Sequence, residues 1–130
     1  MKQLTIFTPT YNRAHTLPRT YDSLRNQKCK EFIWLIVDDG STDQTAELVR
    51  KWQAENTAFE IRYIYKPNGG MHTAHNTAYE NIDTELNVCI DSDDCVAENA
   101  VSAILEKWDK VKNKGYAGLI GLDADFSGEV

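Results

Sequence analysis

Six consecutive apolar residues, Phe32-Ile33-Trp34-Leu35-Ile36-Val37, end abruptly on Asp38-Asp39-Gly40. Unbroken apolarity, β-branched toward its end, marks a strand buried on both faces, as strands of parallel sheets are. A central parallel strand requires crossover connections, usually helices, and the rest of the chain supplies them.

Leu4 to Thr8 reads as a short strand, broken by Thr8-Pro9-Thr10-Tyr11-Asn12-Arg13 because Pro lacks the ladder N–H. Thr16 stands as an N-cap with Pro18 in the first turn, and Leu17, Tyr21 and Leu24 recur at helical spacing. After Phe32–Val37, Ser41-Thr42-Asp43-Gln44 fits a capping box ahead of a helix that buries Leu48, Val49 and Trp52. Ile61 to Tyr65 forms a third strand, closed by Lys66-Pro67-Asn68-Gly69-Gly70, and Ala74, Ala78 and Ile82 line the helix that follows. Leu86 to Ile90 is a fourth strand running into Asp91-Ser92-Asp93-Asp94; Val101, Ile104, Leu105, Trp108 and Val111 then mark a longer helix. Tyr116 to Leu122 reads as a fifth strand, and Asp123 to Val130 as a turn left unfinished, the mark of a truncated parent. Successive βα units predict an α/β fold: a doubly wound, mostly parallel sheet with helices on both faces.

The 130 residues fit one domain, and 42% hydrophobic residues suffice for a core. Fourteen Lys+Arg against twenty Asp+Glu, a net charge of −6, exclude the electrostatic footprint of a nucleic-acid binder. The longest apolar run is far short of the roughly 20 residues that cross a bilayer. Met1-Lys2-Gln3-Leu4 enters a strand with no signal-peptide pattern, which predicts a cytoplasmic address. Cys29, Cys89 and Cys95 form no Cys-x-x-Cys pair, so neither a disulfide framework nor a zinc site is expected.

Ligands of open α/β sheets bind at the carboxyl ends of the strands, where the strand order reverses. Four polar clusters fall at those ends: Thr8–Arg13, Asp38–Ser41, Asn68–Gly70 and Asp91–Asp94. Asp91 and Asp93 are two apart, so in an extended segment both carboxylates face one side. Crowded carboxylates repel, which a cation relieves, and an oxygen-only donor set favours Mg²⁺ or Mn²⁺. An acidic cluster is otherwise a solvated turn, as Asp38-Asp39-Gly40-Ser41 equally is a good strand-to-helix turn. Tyr11 could lay its ring on a nucleobase, and Asn68-Gly69-Gly70 could bring backbone N–H groups to a phosphate. His15, His72 and His75 assemble into no catalytic triad, and neither the dinucleotide Gly-x-Gly-x-x-Gly fingerprint nor the Walker loop occurs.

Taken in order, Thr8-Pro9-Thr10-Tyr11-Asn12-Arg13, Val37-Asp38-Asp39-Gly40-Ser41-Thr42-Asp43, Asn68-Gly69-Gly70 with Ala74-His75-Asn76, and Asp91-Ser92-Asp93-Asp94 resemble the motifs of family 2 glycosyltransferases of the GT-A fold. The resemblance implies that residues 1–130 are the nucleotide-sugar-binding portion of an enzyme moving a sugar from a nucleoside-diphosphate donor, a UDP-sugar favoured, to a saccharide or lipid-linked acceptor. It implies inversion at the anomeric carbon and use of Mg²⁺ or Mn²⁺. Carried onto this chain, Thr8, Pro9, Tyr11, Asp39 and Ser92 would line the donor, with Arg13 and Asn76 near it; Asp91 and Asp93 would be the Asp-x-Asp pair at the metal. Many relatives carry Arg where His75 stands. The family's general base comes from a later half, so base and acceptor site are expected outside this chain. The resemblance also implies a role at the inner face of a membrane, in cell-envelope polysaccharide synthesis. Exposure of a normally covered sheet edge would favour homo-oligomers. Two other readings compete: a non-catalytic nucleotide-binding or interaction module, and a receiver-like domain. The latter lacks an acidic pair after its first strand.

Overall fold

The computed structural model describes residues 4–55, 58–84, 86–92 and 96–111. Along them strands and helices alternate: β1 (Leu4–Thr10), α1 (Leu17–Arg25), β2 (Phe32–Asp38), α2 (Thr45–Glu55), β3 (Glu60–Tyr65), α3 (Met71–Glu80), β4 (Leu86–Cys89) and α4 (Ala100–Val111). The expected strand at Tyr116–Leu122 and the ending at 123–130 lie outside the described residues, as do Asp93, Asp94 and Cys95.

All strand pairs are parallel, in the order β3-β2-β1-β4. The chain steps outward from β1 through β2 to β3, then returns past both to place β4 on the other side of β1. Because parallel crossovers keep one hand, reversing the direction of travel moves the connecting helix to the opposite face. The packing agrees: α1, α2 and α4 bury Leu17, Tyr21, Leu24, Val49, Trp52, Val101 and Trp108 against Ile6, Trp34 and Ile36. On the far face, α3 lays Ala74 and Ala78 on Phe7, Leu35 and Val37. The small residues of α3 bring its axis close to the sheet, while the larger face is filled by aromatics. Trp34, fully buried, stacks with Tyr21 and Trp52 at centroid distances of 5.9 Å each, and those two rings lie 4.3 Å apart. Such pairs each add about 0.5–1.5 kcal/mol beyond their area.

Three local expectations are corrected. β1 does not break at Thr8 but runs on through Pro9 to Thr10, pairing Pro9 with Val37. The ladder to β4 closes at Phe7↔Cys89, with Ile90 N–H donating to the Phe7 carbonyl, so Pro9 faces a side where no donor is needed. The Ser41/Gln44 capping box does not form. Instead Asp43 Oδ1 accepts the Thr45 N–H at 3.0 Å and its hydroxyl at 2.5 Å, because the Ser41 hydroxyl is engaged elsewhere. Thr16 precedes α1 as expected, yet its hydroxyl caps no N–H of that helix; it donates to the Ser92 carbonyl at 3.0 Å.

Candidate functional site

The strand order reverses between β1 and β4, so the carboxyl ends of those two strands flank the crevice in which ligands of such sheets bind. Tyr11–Arg13 follows one and Asp91-Ser92 the other. The Thr16–Ser92 hydrogen bond ties the start of α1 to the loop after β4, joining the two sides.

Asp39, at the end of β2, is 1% exposed. Its Oδ1 accepts from Lys66 Nζ at 2.6 Å and from the Gly69 N–H at 3.0 Å, and its Oδ2 from the Gly70 N–H at 2.9 Å. Burial pushes its pKa up, but the Lys66 hydrogen bond, the two glycine N–H donors and the Lys66 charge outweigh that and hold it below the ordinary carboxylate value. Asn68 Nδ2 donates to the Asp39 carbonyl at 3.0 Å, and Lys66 Nζ also reaches Thr73 Oγ1 at 2.8 Å. The loop between β3 and α3 is therefore wrapped around one carboxylate. This corrects one expectation: the Gly69 and Gly70 N–H groups, read as a cradle for a ligand phosphate, are taken by Asp39. Gly40 permits the close approach. It has φ 82, and a Cβ there would stand 2.7 Å from the Asn68 nitrogen.

Asp38 is fully buried, and its carboxylate accepts from the Ser41 N–H at 2.8 Å and the Tyr63 hydroxyl at 2.5 Å. Burial, then donation to Asp38 and the charge of Asp38, raise the Tyr63 pKa far above its ordinary value, so Tyr63 stays a donor. Asp38 thus braces the β2 end from beneath. Beside it in register, Thr10 is buried, and its Oγ1 is the one buried side-chain polar atom among the described residues left without a partner.

The remaining predicted residues divide by exposure. Tyr11, 40% exposed, and Arg13 present their side chains to solvent after β1. Thr8 does not: its hydroxyl turns into the core and accepts from Trp34 Nε1 at 2.9 Å, so the side chain supports the strand end from within. Pro9 is buried beside it. Asp91 is exposed past β4, whereas Ser92 is buried. Asn76 is exposed on α3. The residue before it, His75, packs its ring edge-on to Phe7 at 5.6 Å, and its Nε2 lies 3.7 Å from Cys89 Sγ, which in turn lies 3.9 Å from Asp91 Oδ1. Sequence reasoning missed Lys66 as a part of the edge, and gave Asn12, inside the Thr8–Arg13 cluster, no role of its own. Lys66 carries no local signal, since its partner is 27 residues away.

A parallel sheet with helices on both faces puts an acidic strand end, locked to a glycine turn, and an exposed tyrosine at the carboxyl edge where ligands of such sheets bind. The chain belongs to the family described as glycosyl transferase family 2, which it matches over residues 5–126. It is 35% identical over 109 residues to a chondroitin synthase of Pasteurella multocida, covering 84% of this chain and 11% of the synthase. It is 28% identical over 140 residues to a GalNAc(5)-diNAcBac-PP-undecaprenol beta-1,3-glucosyltransferase of Campylobacter jejuni, covering 99% of this chain and 43% of that enzyme. Among solved structures, S. aureus TarS 1-349 in complex with UDP-GlcNAc superposes with a TM-score of 0.78 at 28% identity, over 86% of this chain and 32% of that one. The chain therefore spans less than half the length of each of these relatives.

Proposed function

We propose that residues 1–130 are the nucleotide-sugar-binding portion of a glycosyltransferase that transfers a sugar from a nucleoside-diphosphate donor to an acceptor. The single observation that carries this is the convergence of Tyr11, Arg13, Asp39 and Asp91 at the carboxyl edge, on strands flanking or next to the point where the strand order reverses. A UDP-sugar is the favoured donor, a choice supported by UDP-GlcNAc in TarS.

Tyr11 offers its exposed ring to the base, and Arg13 a cation to the phosphates. Asp39 has one carboxylate oxygen that accepts a single protein donor, which leaves that atom capacity for one N–H of a base. Pro9, Thr8 and Ser92 shape the walls from the buried side; Asn76 stands midway along α3 beside the donor.

Mg²⁺ or Mn²⁺ fits the donor set. Asp91 is an exposed oxygen donor at a strand end, and among the described residues no group of three His, Cys, Asp or Glu could hold a metal alone. Mg²⁺ is ordinarily held by one or two carboxylates plus substrate phosphates, which is the arrangement Asp91 and Asp93 would provide. When bound, the ion supplies Lewis-acid stabilisation of the departing nucleoside diphosphate. Transfer with inversion needs a general base, which we assign to no residue of this chain. The acceptor is a saccharide or a lipid-linked glycan, a choice supported by the undecaprenol-linked substrate in the name of the Campylobacter relative. No helix among the described residues is long and apolar enough to cross a membrane. We place the protein in the cytoplasm, peripheral to the membrane's inner face.

Calorimetric titration with UDP, with and without Mn²⁺, tests the proposal. Binding should require Mn²⁺ and weaken at least about tenfold in Asp91→Asn and Asp93→Asn, as loss of a metal ligand predicts. Absence of binding to UDP, GDP and dTDP by the folded chain would overturn it.

A further inference from the structure

The loops after β1 and β2 are joined mainly through one residue. Asn12 is the only non-glycine residue with positive φ among the described residues, at 51°. Asn tolerates this region where most side chains do not. From that backbone position its Oδ1 accepts the Thr42 N–H at 2.8 Å, while its own N–H donates to Ser41 Oγ at 2.8 Å. Two residues on, the Ala14 N–H donates to Asp43 Oδ2 at 3.1 Å. The contacts are reciprocal: the first loop gives one side-chain acceptor, Asn12 Oδ1, to the second's backbone, and the second gives two, Ser41 Oγ and Asp43 Oδ2, to the first's.

Tyr11 directly precedes this staple in the chain. Among the described residues its side chain makes no hydrogen bond or ring contact of its own, so its direction is inherited from the backbone at residues 11 and 12. Asp43 already satisfies the start of α2, so Asn12 is not needed to cap that helix.

We infer that Asn12 is a positioning residue for the nucleotide: by locking residues 11–14 to residues 41–43 it fixes the Tyr11 ring relative to the β2 end before any ligand arrives. The inference rests on the donor-site reading above. Its physical basis is pre-organisation, since a loop that must be ordered on binding weakens binding by the entropy lost.

Two variants separate its components. Asn12→Gly keeps the positive φ and removes the Oδ1 acceptor; Asn12→Asp keeps both the acceptor and tolerance of the backbone region. Amide exchange at Thr42 reports the staple, and titration with UDP and Mn²⁺ at about 0.15 M salt, which screens the added charge, reports its use. Asn12→Gly should speed Thr42 exchange about tenfold or more and weaken UDP about fivefold. Asn12→Asp should restore both to within about twofold of the parent. Faster Thr42 exchange with unchanged UDP affinity would overturn the positioning role, as would unchanged Thr42 exchange in Asn12→Gly. If the parent chain binds none of UDP, GDP and dTDP, the donor-site reading falls and the positioning role falls with it; the exchange data alone then describe a structural staple.

Discussion

Asp39 was legible in the sequence as an acid at a strand end, but its partners were not. Lys66, Gly69 and Gly70 lie 27 to 31 residues away, and no periodic pattern links them to it. Because its folded pKa is held below the unfolded value of about 3.9, ionised Asp39 contributes stability above about pH 4. That contribution is lost as the pH falls further, through the folded pKa. Asp39→Asn should therefore flatten the acid limb of stability below about pH 4, and cost about 1–3 kcal/mol at pH 7, both read from urea unfolding across pH. An acid limb as steep as the parent's would contradict the cradle. Tyr11 carries the opposite kind of prediction. Its 40% exposed ring makes no hydrogen bond or ring contact among the described residues, so Tyr11→Ala should leave the thermal midpoint within a few degrees and weaken UDP binding by about 1–3 kcal/mol.

At the scale of elements, the apolar run at Phe32–Val37 correctly announced β2, because burial on both faces leaves no room for alternation. The end of β1 was misread because proline's missing N–H matters only where a neighbour's carbonyl faces it, and strand order is not written locally. The capping box failed for a similar reason: Ser41 is drawn off by Asn12, across 29 residues. Gly40 was readable as a turn glycine, but its contact with Asn68 was not. Gly40→Ala meets both a positive φ and a 2.7 Å contact with backbone, and should destabilise by about 1–3 kcal/mol in equilibrium unfolding. Gln27, buried at the end of α1, was unremarked in sequence. Its Nε2 donates to the Ala97 carbonyl at 2.6 Å and its Oε1 accepts the Val101 N–H at 3.0 Å, which anchors the start of α4. Gln27→Leu keeps the bulk but strands the Val101 N–H, while the Ala97 carbonyl keeps the Ala100 N–H, for an expected loss of about 1–3 kcal/mol.

Over the whole molecule, the packed core lies against the faces of the sheet and the candidate site at its carboxyl edge. The aromatic stack of Tyr21, Trp34 and Trp52 and the layer of α1, α2 and α4 hold the scaffold, while the site is built from loops at one edge. Those loops are not independent: Asn12 and Ser41 join the first to the second, Asp39 and Asn68 the second to the third, and Thr16 and Ser92 the start of α1 to the fourth. The order of the motifs was visible in the sequence, and with it the family. The joints between them were not, because every one spans distant segments. The expected self-association through a bare sheet edge gains nothing from β3, where Glu60, Arg62 and Asp83 place ion pairs beside the edge strand.

The measurement that bears most directly on the account is an amide-resonance titration of the folded chain with UDP in the presence of Mg²⁺. Shifts should gather in residues 8–13, 38–41, 66–70 and 91–93 and saturate together with a single affinity, as one pre-joined site requires. Shifts confined to one loop, or gathered at the amino-terminal ends of the strands, would contradict a nucleotide site at the carboxyl edge.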